Sequence, residues 1–211
     1  MNRKVIFGLL GVLAMGLAKN GWSADGIAPK AEAVHPLAVG HSVPDGIVTT
    51  LEGKQVHLKS LMDQKLTILI FYRGGWCPFC NLQMGQLVKL EPDLAKLGFQ
   101  VLAVSPDQPN RLKESLDKHH INYTLLSDSH LTLAREFGLA YHVNAETLAR
   151  MKEHGVDLEA ATGNSLHLLP VPAAYVVDRK GIVRFLYFNP DIKVRVDPGK
   201  LLKAAQEAAK S

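Results

Sequence analysis

A strand that runs straight into a Cys-x-x-Cys at the start of a helix constrains this chain more than any other feature. Residues 67–72 read Thr-Ile-Leu-Ile-Phe-Tyr, the continuous apolar, β-branched run of a strand covered on both faces. Arg73-Gly74-Gly75-Trp76-Cys77-Pro78-Phe79-Cys80 follows at once, and from about Cys77 onward Leu87, Leu90, Leu94 and Leu97 recur at helical spacing. Residues three apart on a helix are neighbours, with about 5–6 Å between Cβ atoms. That separation is near what a disulfide needs, so the pair can open and close with little backbone movement. The first turn of a helix carries unpaired N–H groups and positive potential. Both favour a thiolate, which is the sulfur species that attacks. Gly74 and Gly75 allow a sharp turn and the close approach of a substrate backbone.

These are the two cysteines of the chain. A bridge across two intervening residues closes almost no loop, so its entropic stabilisation is small and stapling explains the pair poorly. Half a zinc site needs two more ligands, and His57, His119, His120 and His130 show no partner spacing. Covalent haem needs His after the second cysteine, where this chain has Asn81. An inert buried pair is the bland alternative, and a redox-active dithiol the preferred one. No metal or cofactor is expected.

Residues 1–24 read as a cleavable signal peptide: Arg3 and Lys4, then an uncharged, mostly apolar run over 5–18, ended by Lys19-Asn20-Gly21. The run is shorter than the roughly 20 apolar residues a membrane span requires. The expected location is therefore periplasmic or secreted, with no stable membrane insertion after cleavage. Removing the segment takes away Arg3, Lys4 and Lys19 and no acid, so the formal charge falls from +4 to +1. That leaves no electrostatic case for nucleic acid. Residues 25–40 read as a linker, and 41–211 as one domain of ordinary size.

Strand and helix signals alternate along that domain, the pattern of a layered α/β architecture. A hairpin is expected over 47–58 around Glu52-Gly53, a second buried strand over 99–104, a helix over 110–119, and a short strand over 123–126. A helix over 131–137 stops at Gly138. Residues 143–169 form a polar, partly helical insertion without an assigned place. A hairpin spans 173–177 and 182–188, and an amphipathic helix over 198–209 closes the chain. Pro92 is expected to kink or break the helix that follows the cysteines. Asp128 reads as a cap, and His119-His120 as a solvated helix end.

Phe71-Tyr72-Arg73-Gly74-Gly75-Trp76-Cys77-Pro78-Phe79-Cys80 resembles the signature of peroxiredoxin-like proteins of the alkyl hydroperoxide reductase/thiol-specific antioxidant (redoxin) family, within the thioredoxin superfamily. The resemblance runs from about Leu37 to Leu202 and includes Leu169-Pro170-Val171-Pro172-Ala173 and Val176-Val177-Asp178. It implies a thioredoxin-like fold, a central mixed sheet flanked by helices, with a peroxiredoxin-type N-terminal hairpin. Setting Cys80 on the family's peroxidatic cysteine puts Cys77 where the family has Thr and Arg73 where it has Pro. Pro172 then stands where the family Arg belongs and where thioredoxins carry a cis-proline, so a cis Val171–Pro172 bond is expected.

Two mechanisms follow. In the peroxidase reading, Cys80 attacks a hydroperoxide, becomes a sulfenic acid and is resolved by Cys77, with Arg73 as the available cation. In the oxidoreductase reading, Cys77 attacks a protein disulfide and Cys80 releases the mixed intermediate. A non-catalytic binding module is the third reading. The implied partners are a small hydroperoxide or a protein disulfide, and a thiol reductant such as a thioredoxin-like protein. Trp76 either shapes substrate contact or packs.

Overall fold

The computed structural model describes residues 26–210; the expected signal peptide lies outside the described residues. Strands β1 (Ile47–Thr49) and β2 (Gln55–His57) form the expected hairpin, followed by the short helix α1 (Leu58–Met62). Then come β3 (Leu66–Phe71), α2 (Pro78–Lys96), β4 (Phe99–Ser105), α3 (Pro109–His119), β5 (Thr124–Ser127) and α4 (Thr132–Glu136). The insertion supplies β6 (Ala140–His142), α5 (Ala145–Glu153), α6 (Leu158–Thr162) and β7 (Leu168–Pro170). Strands β8 (Ala173–Val177) and β9 (Val183–Phe188) and helix α7 (Pro198–Ala208) complete the chain.

Seven strands form one sheet in the order β2-β1-β5-β4-β3-β8-β9, with β3, β4 and β5 parallel and β8 antiparallel to β3. Both faces are covered, as the unbroken apolar run over 67–72 requires. Ile68, Ile70 and Tyr72 point to one face, where Cys80, Met84, Leu87, Leu94, Leu112, Leu201 and Ala205 pack from α2, α3 and α7. Leu69 and Phe71 point to the other, against Leu58, Met62, Leu133 and Phe137. The period-two alternation of β3 thus carries the site-bearing helix on one side and the support on the other. The C-terminal ends of the parallel strands lie together, so the loops after β3 and β4 emerge side by side. In open α/β sheets this edge is where ligands bind.

Three expectations are corrected, the first only as to a break in the helix. Helix α2 continues through Pro92 to Lys96 without breaking. An interior proline costs about 3 kcal/mol, but Leu90 and Leu94 on the flanking turns are buried, and burial of each is worth about 1.5–3 kcal/mol. Pro92 itself faces solvent, so packing wins. Residues 26–40 are not a free tether. Ile27, Ala28 and Val34 are buried, Ala28 bridges to Tyr141, and its N–H donates to the Ala140 carbonyl at 2.8 Å. The Val171–Pro172 bond is trans, as are all peptide bonds among the described residues. Val171 N–H donates to the Leu139 carbonyl at 2.9 Å, which holds the chain extended as it passes from β7 into β8.

Candidate active site

Cys77 is the N-cap of α2 and Pro78 fills its first helical position, where proline's missing N–H costs nothing. Cys80 stands one turn in. Both thiols are free, and they are 1% and 0% exposed. Gly74 has φ +144°, and a Cβ there would overlap Trp76 Nε1 and approach Asp107 Oδ1. The turn that delivers Cys77 therefore requires this glycine.

The two sulfurs are electrostatically opposite. The Cys77 thiol is lowered to about 5, first by the hydrogen bond from the Cys80 thiol, then by the Cys80 backbone N–H and the Arg73 and Arg195 cations, while burial opposes them. The Cys80 thiol is raised well above its ordinary value by its bond to Cys77, by burial and by the negative charge on Cys77; Arg195 works against these. The two thiols thus titrate as a pair, and their surroundings bias the charge toward Cys77.

Arginine surrounds that charge. Arg73 is buried, with Nη1 4.0 Å from Cys77 Sγ and its guanidinium 4.9 Å from the centre of the Trp76 ring. Its Nη2 lies 4.0 Å from Met151 Sδ on α5. Arg195, from the loop between β9 and α7, puts Nη2 3.6 Å from Cys80 Sγ. The insertion left without a place by the sequence covers this side: Val143, Met151, Leu158 and Leu169 form a small core against Trp76 and Tyr141.

The sequence-derived residues Cys77, Cys80, Arg73 and Trp76 are therefore brought together. Pro172 is buried one residue before β8, and the Phe71↔Ala173 register carries it opposite Tyr72, at the start of the Cys77 loop. Two contributors were missed. Arg195 lies 115 residues from Cys80 in a loop with no motif, and nothing in the sequence marks it. Asp107 accepts the Gly75 N–H at 2.7 Å. Its signal is weak but real: an acid just past the end of the buried strand next to the Cys-x-x-Cys strand. Asp128, by contrast, caps α4 as expected, accepting from Leu133 and Ala134 N–H at 3.2 and 2.8 Å.

Two surface grooves flank the buried pair. One, of about 280 Å³, is lined by Gly75, Trp76, Asp107, Arg111 and Ser115 with residues of α6. The other, of about 290 Å³, is lined by Phe79, Leu82, Lys193 and Arg195. No group of His, Cys, Asp and Glu arranged to hold a metal ion occurs among the described residues.

A sequence profile of the AhpC/TSA family matches residues 39–186. The chain belongs to the AhpC/TSA family. Within it, the chain is 31% identical over 106 residues to peroxiredoxin Bcp of Escherichia coli strain K12, covering 50% of this chain and 67% of that protein. It is 24% identical over 148 residues to the thiol-disulfide oxidoreductase ResA of Geobacillus kaustophilus, covering 70% of this chain and 68% of that one. Among solved structures, peroxidoxin BcpB from Mycobacterium tuberculosis superposes with a TM-score of 0.62 at 19% identity, covering 81% of this chain and 97% of that one. Reduced Prx3 in complex with H2O2 from Vibrio vulnificus gives 0.66 at 17% identity, covering 80% and 99%. These structures establish the fold: the AhpC/TSA frame is a thioredoxin-like mixed sheet with the N-terminal hairpin β1–β2.

Proposed function

We propose that this AhpC/TSA-family protein is a dithiol hydroperoxide reductase in which the Cys77 thiolate attacks and Cys80 resolves. The observation that carries the assignment is the opposed shift of the two thiols, with two arginines against the sulfurs. The Cys77 thiolate attacks the terminal oxygen of a hydroperoxide and breaks the O–O bond, giving a Cys77 sulfenic acid and an alkoxide or hydroxide that takes a proton to leave as alcohol or water. The Cys80 thiol then displaces hydroxide from that sulfur, forming the Cys77–Cys80 disulfide and water. A thiol reductant such as a thioredoxin-like protein returns two electrons and two protons to the pair. The family register would give the first attack to Cys80; the charge distribution of the reduced pair favours Cys77, because the proton stays on the deeper sulfur.

Burial of both sulfurs favours a small hydroperoxide as substrate. The second reading, thiol-disulfide exchange with a protein, is supported by the same thiolate at a helix start and by the relationship to ResA. Purified protein given hydroperoxide, and separately a disulfide-bonded protein, with a thiol regenerating system in each case, separates the two. Peroxide consumption is expected to dominate, with a rate half its plateau near pH 5, where Cys77 deprotonates, and level from about pH 7 upward. A rate that keeps climbing past pH 9 would instead identify Cys80 as the attacking sulfur. Reduction of the protein disulfide without peroxide consumption would favour the second reading.

We further propose export, on the basic start and apolar run over 3–18. N-terminal sequencing of periplasmic or secreted protein should find about 18–24 residues removed. Soluble, full-length protein confined to the cytoplasm would contradict it.

A further inference from the structure

Asp107 is a buried acid that the peroxide chemistry leaves unused. It follows β4, while the Cys77 loop follows β3, and those strands are parallel neighbours with Phe71 paired to Val104. The two loops therefore leave the sheet side by side, and Asp107, 1% exposed, meets the backbone of the cysteine loop. Its Oδ2 accepts the Gly75 N–H at 2.7 Å. Its Oδ1 and the Trp76 indole Nε1 both border Gly74, and neither has a hydrogen-bond partner among the described residues. The opposite side of the same peptide is also held, because Asn81 Nδ2 donates to the Gly75 carbonyl at 2.9 Å.

From there the contacts lead to sulfur. The Trp76 ring lies under the Arg73 guanidinium at 4.9 Å, and Arg73 Nη1 faces Cys77 Sγ at 4.0 Å. A cation over an indole face is held by the ring quadrupole, and more strongly when desolvated. Arg73 is 6% exposed, so little water competes. We propose that Asp107 is a positioning residue: by holding the Gly75 N–H and bordering the indole beside Gly74 it seats the Trp76 ring that holds Arg73 against Cys77. This rests on Cys77 being the reactive thiolate, and it assigns Asp107 no contact with the reacting atoms.

A clamp and a mere charge predict different results. Burial raises Asp107 to about 6, so it is largely neutral where Cys77 titrates; as a mere charge, its removal would leave Cys77 unchanged or slightly more acidic in both Asp107→Ala and Asp107→Asn. As a clamp, Asp107→Ala frees Gly75 and Trp76, loosens Arg73, and makes Cys77 less acidic. Asp107→Asn keeps an acceptor for Gly75 N–H and should behave like wild type. The readout is thiolate absorbance at 240 nm against pH in the reduced protein, which needs neither peroxide nor reagent access to the buried sulfurs. The expected result is an upward shift of about one unit in Asp107→Ala, a tenfold loss of thiolate in the rising part of the curve. Asp107→Asn should stay within about half a unit of wild type. No shift or a downward shift in Asp107→Ala, or an equal upward shift in both variants, overturns the proposal. Trp76→Phe, which keeps the ring under Arg73 but not the indole N–H, supplies the check if Asp107→Ala does not fold. It should shift upward by less than Trp76→Leu, which loses the ring, and equal shifts in these two would overturn the proposal. Should the protein prove inert to peroxide, this titration is still read in full, so the two failures are distinguishable.

Discussion

Cys77→Ser and Cys80→Ser each reduce hydroperoxide turnover to background, but they do so at different steps. Without Cys77 the resting thiolate is gone, and Cys80 loses the partner that forms its disulfide. Without Cys80 the Cys77 sulfenic acid forms and has no resolving thiol within the chain, since the protein has only these two cysteines. Cys80→Ser should therefore consume one equivalent of peroxide, give a sulfenic acid that a dimedone probe traps, and advance to sulfinic acid in excess oxidant. Cys77→Ser also frees Cys80 of the hydrogen bond and negative charge that raise its thiol, and Arg195 remains 3.6 Å away. Slow, single-equivalent oxidation of Cys80 is expected in that variant, without a disulfide. Multiple turnovers by either variant under the same reductant would show that the pair does not act as a unit.

Loss of the two cations is the next largest effect. In the attack on a hydroperoxide, negative charge moves from Cys77 sulfur to the leaving oxygen. A cation beside both positions stabilises the transition state as well as the thiolate. Removing one preorganised donor from a buried site typically costs about 10²–10³ in rate. Arg73→Met should reach that range and exceed Arg195→Met, because Arg73 is the buried cation nearest Cys77 and the larger of the two arginine influences on it. The thiolate should also titrate at higher pH in both variants. For a group whose folded value is depressed, loss of its partner moves protonation upward, so the acid side of the rate profile should shift toward neutral pH. Equal rates for Arg73→Met and wild type at pH 6 would remove Arg73 from the site.

Much of this was legible because it was local. The run over 67–72, the two glycines, the cysteine spacing and the proline at the helix start lie within fourteen consecutive residues, and each acts through its own backbone. The hairpin β1–β2 and the strand pair β8–β9 were similarly marked by turns at Glu52-Gly53 and Asp178-Arg179-Lys180-Gly181. What stayed hidden depends on distant partners. Asp107 meets Gly75 across 32 residues because two parallel strands end together, and Arg195 meets Cys80 across 115 because a loop returns over the helix start. Residues 26–40 have the composition of a linker, but they dock on β6, whose own place was not readable. At Pro92 the helix does not break, because the burial of Leu90 and Leu94 outweighs the local cost of the proline.

The resemblance placed the reaction on Cys80, whereas the environment of the reduced pair draws the charge to Cys77. These assignments share the dithiol and differ in which sulfur oxygen reaches first. Reduced wild-type protein mixed with one equivalent of hydroperoxide at pH 6, quenched at intervals with a sulfenic-acid probe and mapped by fragment mass, resolves the matter. The prediction is stoichiometric loss of peroxide, an early probe adduct on Cys77, and an end state two hydrogens lighter with a Cys77–Cys80 disulfide. Peroxide left unconsumed while both thiols stay reduced would contradict the peroxidase account, and an early adduct confined to Cys80 would contradict the assignment of the attacking sulfur.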